Sequence, residues 1–542
     1  MKMRSYWLSL ALVTGCAGGG SGPLPPETSA PTPGPMAQAL TPSVDAKVQP
    51  ALKVQAAPGT FACGSLTMSF GATVPADVGI SNQTDADCYA WQEFIALNWP
   101  ASGSNFGAPG DQSAVQWLGY MDTHQLFQQG AAVPPPWGTP PQITTACQSE
   151  AHLTDAQARG VHPLVNATKF SGDVLSGGEN AQAFPNPPAP AWLGDVNGNN
   201  VWYEVRVNQD EYNYVVQNQF YNAQKQLAFY TNQNPVKLPL QLPAGTATVT
   251  GAMELKAAWM EVPDPSDAKW NSYKLTSAVV VDPRTQKCEQ VTVALVAFHV
   301  IHKTQSQPTW IWATFEHKDN APNAGTTSPQ TWNFNSPACS PKTIPVPTAC
   351  QYDGKASVTT SCTANTPPLY NIGDGCPAAT PTQVTRVNPI DTTAATVNTT
   401  VQSAIQNAWS GSVWQNYMLV NVVWSSNPAV IPPACTTGSS GCQSTVTPQI
   451  TPSMNPSVAV ANTVLETYIQ ASAPGNGFAK SNCILCHVYA EVPGAPNATP
   501  YASDFSFALG EAQSPPGTPD ARSLKAIPKG QHRQRKIRQI FR

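Results

Sequence analysis

Glu289-Gln-Val-Thr-Val-Ala-Leu-Val-Ala-Phe-His-Val-Ile-His302 is built of β-branched, aromatic and small apolar residues and is bounded by turn-forming sequence, so it reads as a strand. Runs of the same kind lie on both sides of it, at 200–207, 253–262, 273–282, 309–317 and 414–424. Their connections are short, which suits antiparallel pairing. Helical spacing marks three other stretches. Trp91, Phe94, Ile95 and Asn98 share a face in 87–99, which ends at Pro100. Tyr212, Val215, Val216, Phe220, Ala223 and Leu227 do so in 209–231, and a further helix is expected near 395–409. The chain shows no internal repeats. These patterns predict an α+β fold: a β-rich antiparallel large domain over 61–445, followed by a small helical C-terminal module over 446–515.

That module carries the most specific motif of the chain, Cys483-Ile-Leu-Cys486-His487. Cys-x-x-Cys-His is the attachment pattern of a c-type haem. Two thiols reach the two vinyl groups on one edge of a porphyrin, and the adjacent His offers a nitrogen to the iron. A structural zinc site would need two further ligands at matching spacing, and no second Cys-x-x-Cys or His-x3-5-His pair exists. A thioredoxin-like pair belongs beside a βαβ pattern, which is missing here. The expectation is one covalent haem c held by Cys483 and Cys486, with His487 as proximal iron ligand. A helix over 457–470, capped by Asn455 and with Val458, Val460, Leu465 and Ile469 inward, and a short one over 503–512 would flank the motif. Two such helices are too little to cover a porphyrin, so the large domain is expected to supply the other wall. No Met follows His487. The sixth ligand is therefore absent or comes from elsewhere. Met454 is the first candidate and His299, His302 and His317 come next, while Met418 lies in a strand and His532 in the tail.

The termini place the chain in the cell envelope. Met1-Lys-Met-Arg4 and the apolar Trp7–Val13 form a short secretory signal over 1–15. Val13-Thr-Gly-Cys16 resembles a bacterial lipobox, which implies cleavage before Cys16 and its lipidation. Ala17 is not an inner-membrane retention residue, so the same rule implies the outer membrane, facing the periplasm or the exterior. Residues 16–60, rich in Pro, Gly and Ser, read as a linker. With Cys16, Cys483 and Cys486 set aside, ten of the 13 cysteines remain, up to five disulfides in an exported chain. Cys435 with Cys442, and Cys339 with Cys350, are close enough in sequence to staple loops. Residues 516–542 form a basic tail expected to be disordered. The same charge would also suit an acidic partner or anionic headgroups. Without its eight basic side chains, and without Lys2 and Arg4, 18 basic residues face 32 acidic ones, a balance of −14.

His299, His302, Glu316 and His317, with Glu254 on a nearby strand, are metal-ligating types. Strand alternation puts His299 and His302 on opposite faces, and Glu316 and His317 likewise, so one cluster holds only one of each pair. Paired, hydrogen-bonded sheet residues are the plainer reading. No Ser-His-Asp framework, phosphate-binding Gly loop or nucleic-acid signature is present. Glu254-Leu-Lys-Ala-Ala-Trp259, His299-Val-Ile-His-Lys-Thr304, Trp310-Ile-Trp-Ala-Thr-Phe-Glu-His317 and Asn462-Thr-Val-Leu-Glu-Thr-Tyr-Ile-Gln470 stand upstream of the haem motif. Together they resemble a family of exported bacterial proteins described as cytochrome c family proteins. The resemblance runs over most of 85–512 and implies haem binding and electron transfer to a redox partner, without naming a substrate. The expected function is thus electron transfer by an exported lipoprotein. The alternatives are a haem enzyme of peroxidase or oxygenase type with a substrate pocket in the large domain, and a binding or structural lipoprotein with an accessory haem.

Overall fold

The computed structural model describes residues 59–103, 105–165, 193–232, 242–246, 249–282, 285, 287–327, 329–345, 356–366, 383–426, 454–455, 459–468, 470, 483, 487, 490, 492 and 503–518. The signal segment, Cys16, nearly all of the linker, Cys486 and the tail beyond 518 lie outside the described residues.

A nine-stranded sheet organises the chain. In chain order, a hairpin of β1 (Phe61–Cys63) and β2 (Leu66–Met68) stands apart from it. Then come β3 (Met121–Asp122), β4 (Pro163–Leu164), β5 (Val201–Val207), β6 (Met253–Val262), β7 (Leu275–Val281), β8 (Cys288–His302) and β9 (Ile311–His317). A second small hairpin, β10 (Thr343–Pro345) and β11 (Ser357–Thr359), precedes β12 (Tyr417–Ser425) and β13 (Met454–Asn455). The main order is β13-β12-β9-β8-β6-β5-β3. β8 is long enough to pair with β6 along one edge and with β7 and then β9 along the other. Pairing is antiparallel throughout except for β4, which runs parallel to β7. The six long strands fall within three residues of the stretches that the sequence predicts, because β-branched side chains suit a pleated surface with both faces covered.

One face of the sheet is covered by α1 (Gln83–Leu97). Asn82 caps it by accepting from the Asp85 N–H at 3.0 Å, and the chain leaves the helix at Asn98, one residue earlier than Pro100 would require. Trp91, Phe94, Phe298, Phe315 and Tyr417 build the core beneath it. The predicted helix 209–231 is two helices, α2 (Gln209–Gln217) and α3 (Ala223–Asn232). Gln219 takes a left-handed φ of 57°, and the Asn222 side chain accepts from the Gln224 N–H at 2.9 Å, so the chain stops and restarts. α4 (Thr392–Ala408) packs beside α1. Among the described residues no helix is long and apolar enough to cross a membrane.

The opposite face is covered by the C-terminal stretches. Val460, Val492, Phe505 and Leu509 share a core with Ile301, Trp312 and Val423, while Val464 and Leu465 share another with Tyr203, Ala258 and Ala297. The helix expected over 457–470 is not formed at 459–468, which run through turns. There Asn462, rather than Asn455, supplies the cap: its Oδ1 accepts from Val464 N at 2.9 Å and Leu465 N at 3.2 Å. The apolar spacing is real, but an Asx turn satisfies the backbone instead of a helical ladder. The expected helix over 503–512 is a turn followed by a single 3-10 turn at Leu509–Glu511.

Three disulfides are present among the described residues: Cys63–Cys88, Cys147–Cys288 and Cys339–Cys362. Cys339 therefore pairs with Cys362 and not with Cys350, because β10 and β11 pair in register and bring 339 and 362 to the same end of the hairpin. Cys350, Cys376, Cys435 and Cys442 lie outside the described residues.

Candidate functional site

His487 sits against the sheet. Its ring packs on Trp312 of β9 with centroids 4.4 Å apart and on Phe507 at 4.8 Å. Its Nδ1 lies 2.8 Å from the carbonyl oxygen of Phe505. A carbonyl only accepts, so Nδ1 is the protonated nitrogen, and in the neutral ring the lone pair is left on Nε2. A ring held in this way has its tautomer and orientation fixed, as a metal-binding histidine requires. Cys483 is half-buried against the same apolar cluster. The motif residues that are described thus face an aromatic and aliphatic surface, as a porphyrin edge requires, and the donor set of a thiol and an oriented imidazole fits a c-type haem. Trp312 is the sheet's contribution to that surface.

The turn that carries Phe505 is unusual. Asp504 and Phe505 have φ of 56° and 66°, and Trp310, whose indole N–H donates to the Asp504 carbonyl at 3.0 Å, has φ of 76°. Three left-handed non-glycine residues in contact concentrate backbone strain at one place, and such strain collects at functional sites. Each residue of the turn is tied to a different element. The Asp504 carboxylate pairs with Lys303, next to the end of β8, and accepts from Leu242 N at 2.7 Å. The Phe505 carbonyl holds His487. The Ser506 side chain lies beside the Glu254 carboxyl on β6. Gly251 lets the loop before β6 reach this place: its φ is 91°, and a Cβ there would stand 2.3 Å from the Lys303 carbonyl.

Behind the turn, Glu254 meets Glu211 at the start of α2. Both are buried, and their carboxyls lie close enough to act on each other, while both Glu211 oxygens and one Glu254 oxygen lack a hydrogen-bond partner among the described residues. Burial, then the neighbouring Glu254 and Asp504, push Glu211 up. Burial, with Asp504 and Glu511 adding to it against the Ser506 hydroxyl, raises Glu254 to about 7. In the sequence Glu211 is simply one residue of the predicted helix 209–231, and Glu254 stands only beside the histidines. Nothing in the spacing of 211, 254 and 504 signals that they meet.

The histidines separate by face. His302 points under α1, where Nδ1 pairs with Glu93 and Nε2 donates to the Thr250 carbonyl at 2.7 Å. His317 stacks on Tyr273, donates from Nε2 to the Ser272 carbonyl at 3.0 Å and accepts at Nδ1 from Asp319 N at 3.2 Å. Burial drives its pKa down to about 3, so the ring is neutral. Both rings are committed to protein partners, which removes them as candidate iron ligands. Glu316 is held by Arg386 and by the Thr463 N–H and hydroxyl. His299 lies on the His487 side of the sheet. Its Nε2 is 3.1 Å from Glu466, and its β9 partner Thr314 is two residues from Trp312, on the same face. Met454, the first candidate for a distal ligand, lies in the edge strand β13 opposite Ser425, not beside a helix. Among the described residues no three His, Cys, Asp or Glu side chains form a ready metal-ion site. No family model, curated protein or solved structure matches this chain.

Proposed function

We propose that this chain is an exported c-type cytochrome that carries one haem on Cys483 and Cys486, with His487 as proximal ligand, and passes single electrons to a partner protein. The observation that carries the reading is the Nδ1–carbonyl hydrogen bond from His487 to Phe505, which leaves Nε2 as the metal-binding nitrogen in an apolar, aromatic setting. The haem supplies the redox chemistry when bound, and the residues here orient the ligand and exclude water. The turn over 503–512 and the sheet would form the two walls. Cys16 holds the body to the outer membrane through lipid, and Cys16→Ser would release it into the soluble fraction.

The test is chemical. Haem extraction with acid acetone should leave the colour on the polypeptide, and Cys483→Ala with Cys486→Ala should abolish it. Haem that extracts from the wild type overturns the reading.

A haem-enzyme reading has one observation in its favour. Val205, Lys256 and His299 are adjacent across β5, β6 and β8, and all three are half-buried. His299, held by Glu466, would be the acid–base group of such a site. Ready binding of carbon monoxide by the reduced protein favours the enzyme. A spectrum unchanged by carbon monoxide favours electron transfer with the sixth position filled.

A further inference from the structure

We propose that the Glu211–Glu254 carboxyl pair is a redox-linked proton site. It takes one proton from solvent when the haem gains one electron from its donor protein, and releases that proton when the electron leaves. The inference rests on the proposed haem at His487.

Geometry carries it. Glu211 is 1% exposed, and neither of its oxygens has a hydrogen-bond donor among the described residues. One oxygen of Glu254, at 4% exposure, is in the same state. What Glu211 faces is another carboxyl, so a proton is the ligand this place is built to hold. Two like charges in contact in a buried site cannot both be ionised. The pair is close to His487 by two routes. Across the sheet, Glu254, Ile301 and Trp312 are successive cross-strand neighbours on one face, and Trp312 packs on His487. Two strand spacings put Glu254 roughly 10 Å from Trp312. Along the chain, Ser506 lies beside Glu254 while the carbonyl of the preceding residue, Phe505, accepts from His487. Proton and electron are thus near enough to feel each other through protein of low polarity.

The charged groups facing the pair are few. Asp504 and Glu511 come from the C-terminal turn, and Lys303 follows β8. Asp210, beside Glu211, spends a carboxylate oxygen on Gly251 N at 3.0 Å. Lys303 is already paired with Asp504. An added electron near this set therefore finds no uncommitted positive charge among these groups, and proton uptake by the pair is the compensation available.

The experiment is spectroelectrochemical titration of the full chain between pH 5 and 9. Where the pair titrates, the reduction equilibrium should shift tenfold per pH unit, a fall of about 59 mV per unit. Glu254→Gln and Glu211→Gln should each flatten that slope, and Glu254→Asp should keep it. A redox difference signal in the protonated-carboxyl infrared region should be present in the wild type and lost in Glu254→Gln. This second measurement decides the matter on wild-type protein if a variant fails to fold. A flat slope, or a slope unchanged in both Gln variants with no carboxyl signal, overturns the proton site and leaves the haem reading standing. Absence of covalent haem overturns both.

Discussion

Asp87 shows what one buried carboxyl does to this molecule. It lies inside α1, where its Oδ1 accepts from Gln83 at 2.8 Å and its Oδ2 has no partner among the described residues. Burial, with Asp391 adding to it, raises its pKa to about 7. A folded pKa raised above the unfolded value near 3.8 gives stability that is present below that value and lost as pH rises through 7. Asp87→Asn should therefore leave stability unchanged at pH 4 and raise it by roughly 2–4 kcal/mol at pH 8. Denaturant melts at the two pH values check this, and a gain that is the same at both would contradict it. Single residues were also the scale at which the sequence was least readable. His487 stands out in the sequence because it closes the Cys-x-x-Cys-His pattern. Glu211 and Glu254 are 43 positions apart, and their meeting depends on how α2 returns to β6. His299, His302 and His317 look alike in sequence, and only the sheet's two faces and their buried partners tell them apart.

At the scale of elements, Asn398 joins three pieces. From α4 its Oδ1 accepts from the Trp91 indole of α1 at 2.9 Å and from Leu419 N at 2.8 Å, and its Nδ2 donates to the Leu419 carbonyl at 2.8 Å. Leu419 stands where the pairing of β12 with β9 slips by one residue, so its backbone groups turn away from the ladder and need other partners. Asn398→Leu keeps the volume and leaves three buried groups unsatisfied. A loss of about 3 kcal/mol in unfolding free energy is expected. A loss below 1 kcal/mol would mean that water replaces the amide. The bulge was invisible in the sequence, as were the two-residue strands β3, β4 and β13, which carry too little pattern to read. The long strands are legible because β-branched and aromatic residues dominate seven positions or more. The break between α2 and α3 was not, since the apolar stripe continues across it and only the left-handed Gln219 interrupts the backbone. At 459–468 the stripe misled in the opposite way: the buried positions are right, and the backbone hydrogen bonds go to Asn462 rather than along a helix.

The whole molecule sums these charges into a pH profile. Asp87 and Glu254 both titrate near 7 when folded, so each adds stability as pH falls from 7 toward about 4.5, where the unfolded carboxyls also protonate. His317 acts in the opposite sense. Its folded pKa is lowered from 6.5 to about 3, so the unfolded chain binds its proton first and stability is lost as pH falls through that range. Glu211, Glu93 and Asp504, also raised by burial, act in the same sense as Asp87 and Glu254, so the balance is a net gain down to about pH 4.5. Below that the balance reverses. Burial alone would raise Glu204, but Arg206 at 2.7 Å and His162 at 3.0 Å outweigh it and hold the carboxylate at about 2. Glu204 and His317 then both lose their contributions as pH falls, at a slope of about 2.7 kcal/mol per pH unit while both titrate. The stability maximum should therefore stand near pH 4.5, below the pH 5–8 usual for globular proteins. Melting temperatures measured from pH 3 to pH 8 test it. Asp87→Asn should flatten the neutral limb and leave the acid limb alone. Glu204→Gln should lower stability throughout and flatten the acid limb. A maximum at pH 7 or above in the wild type would show that Asp87 and Glu254 are ionised at little expense, and that the carboxyls are wetter than their burial implies.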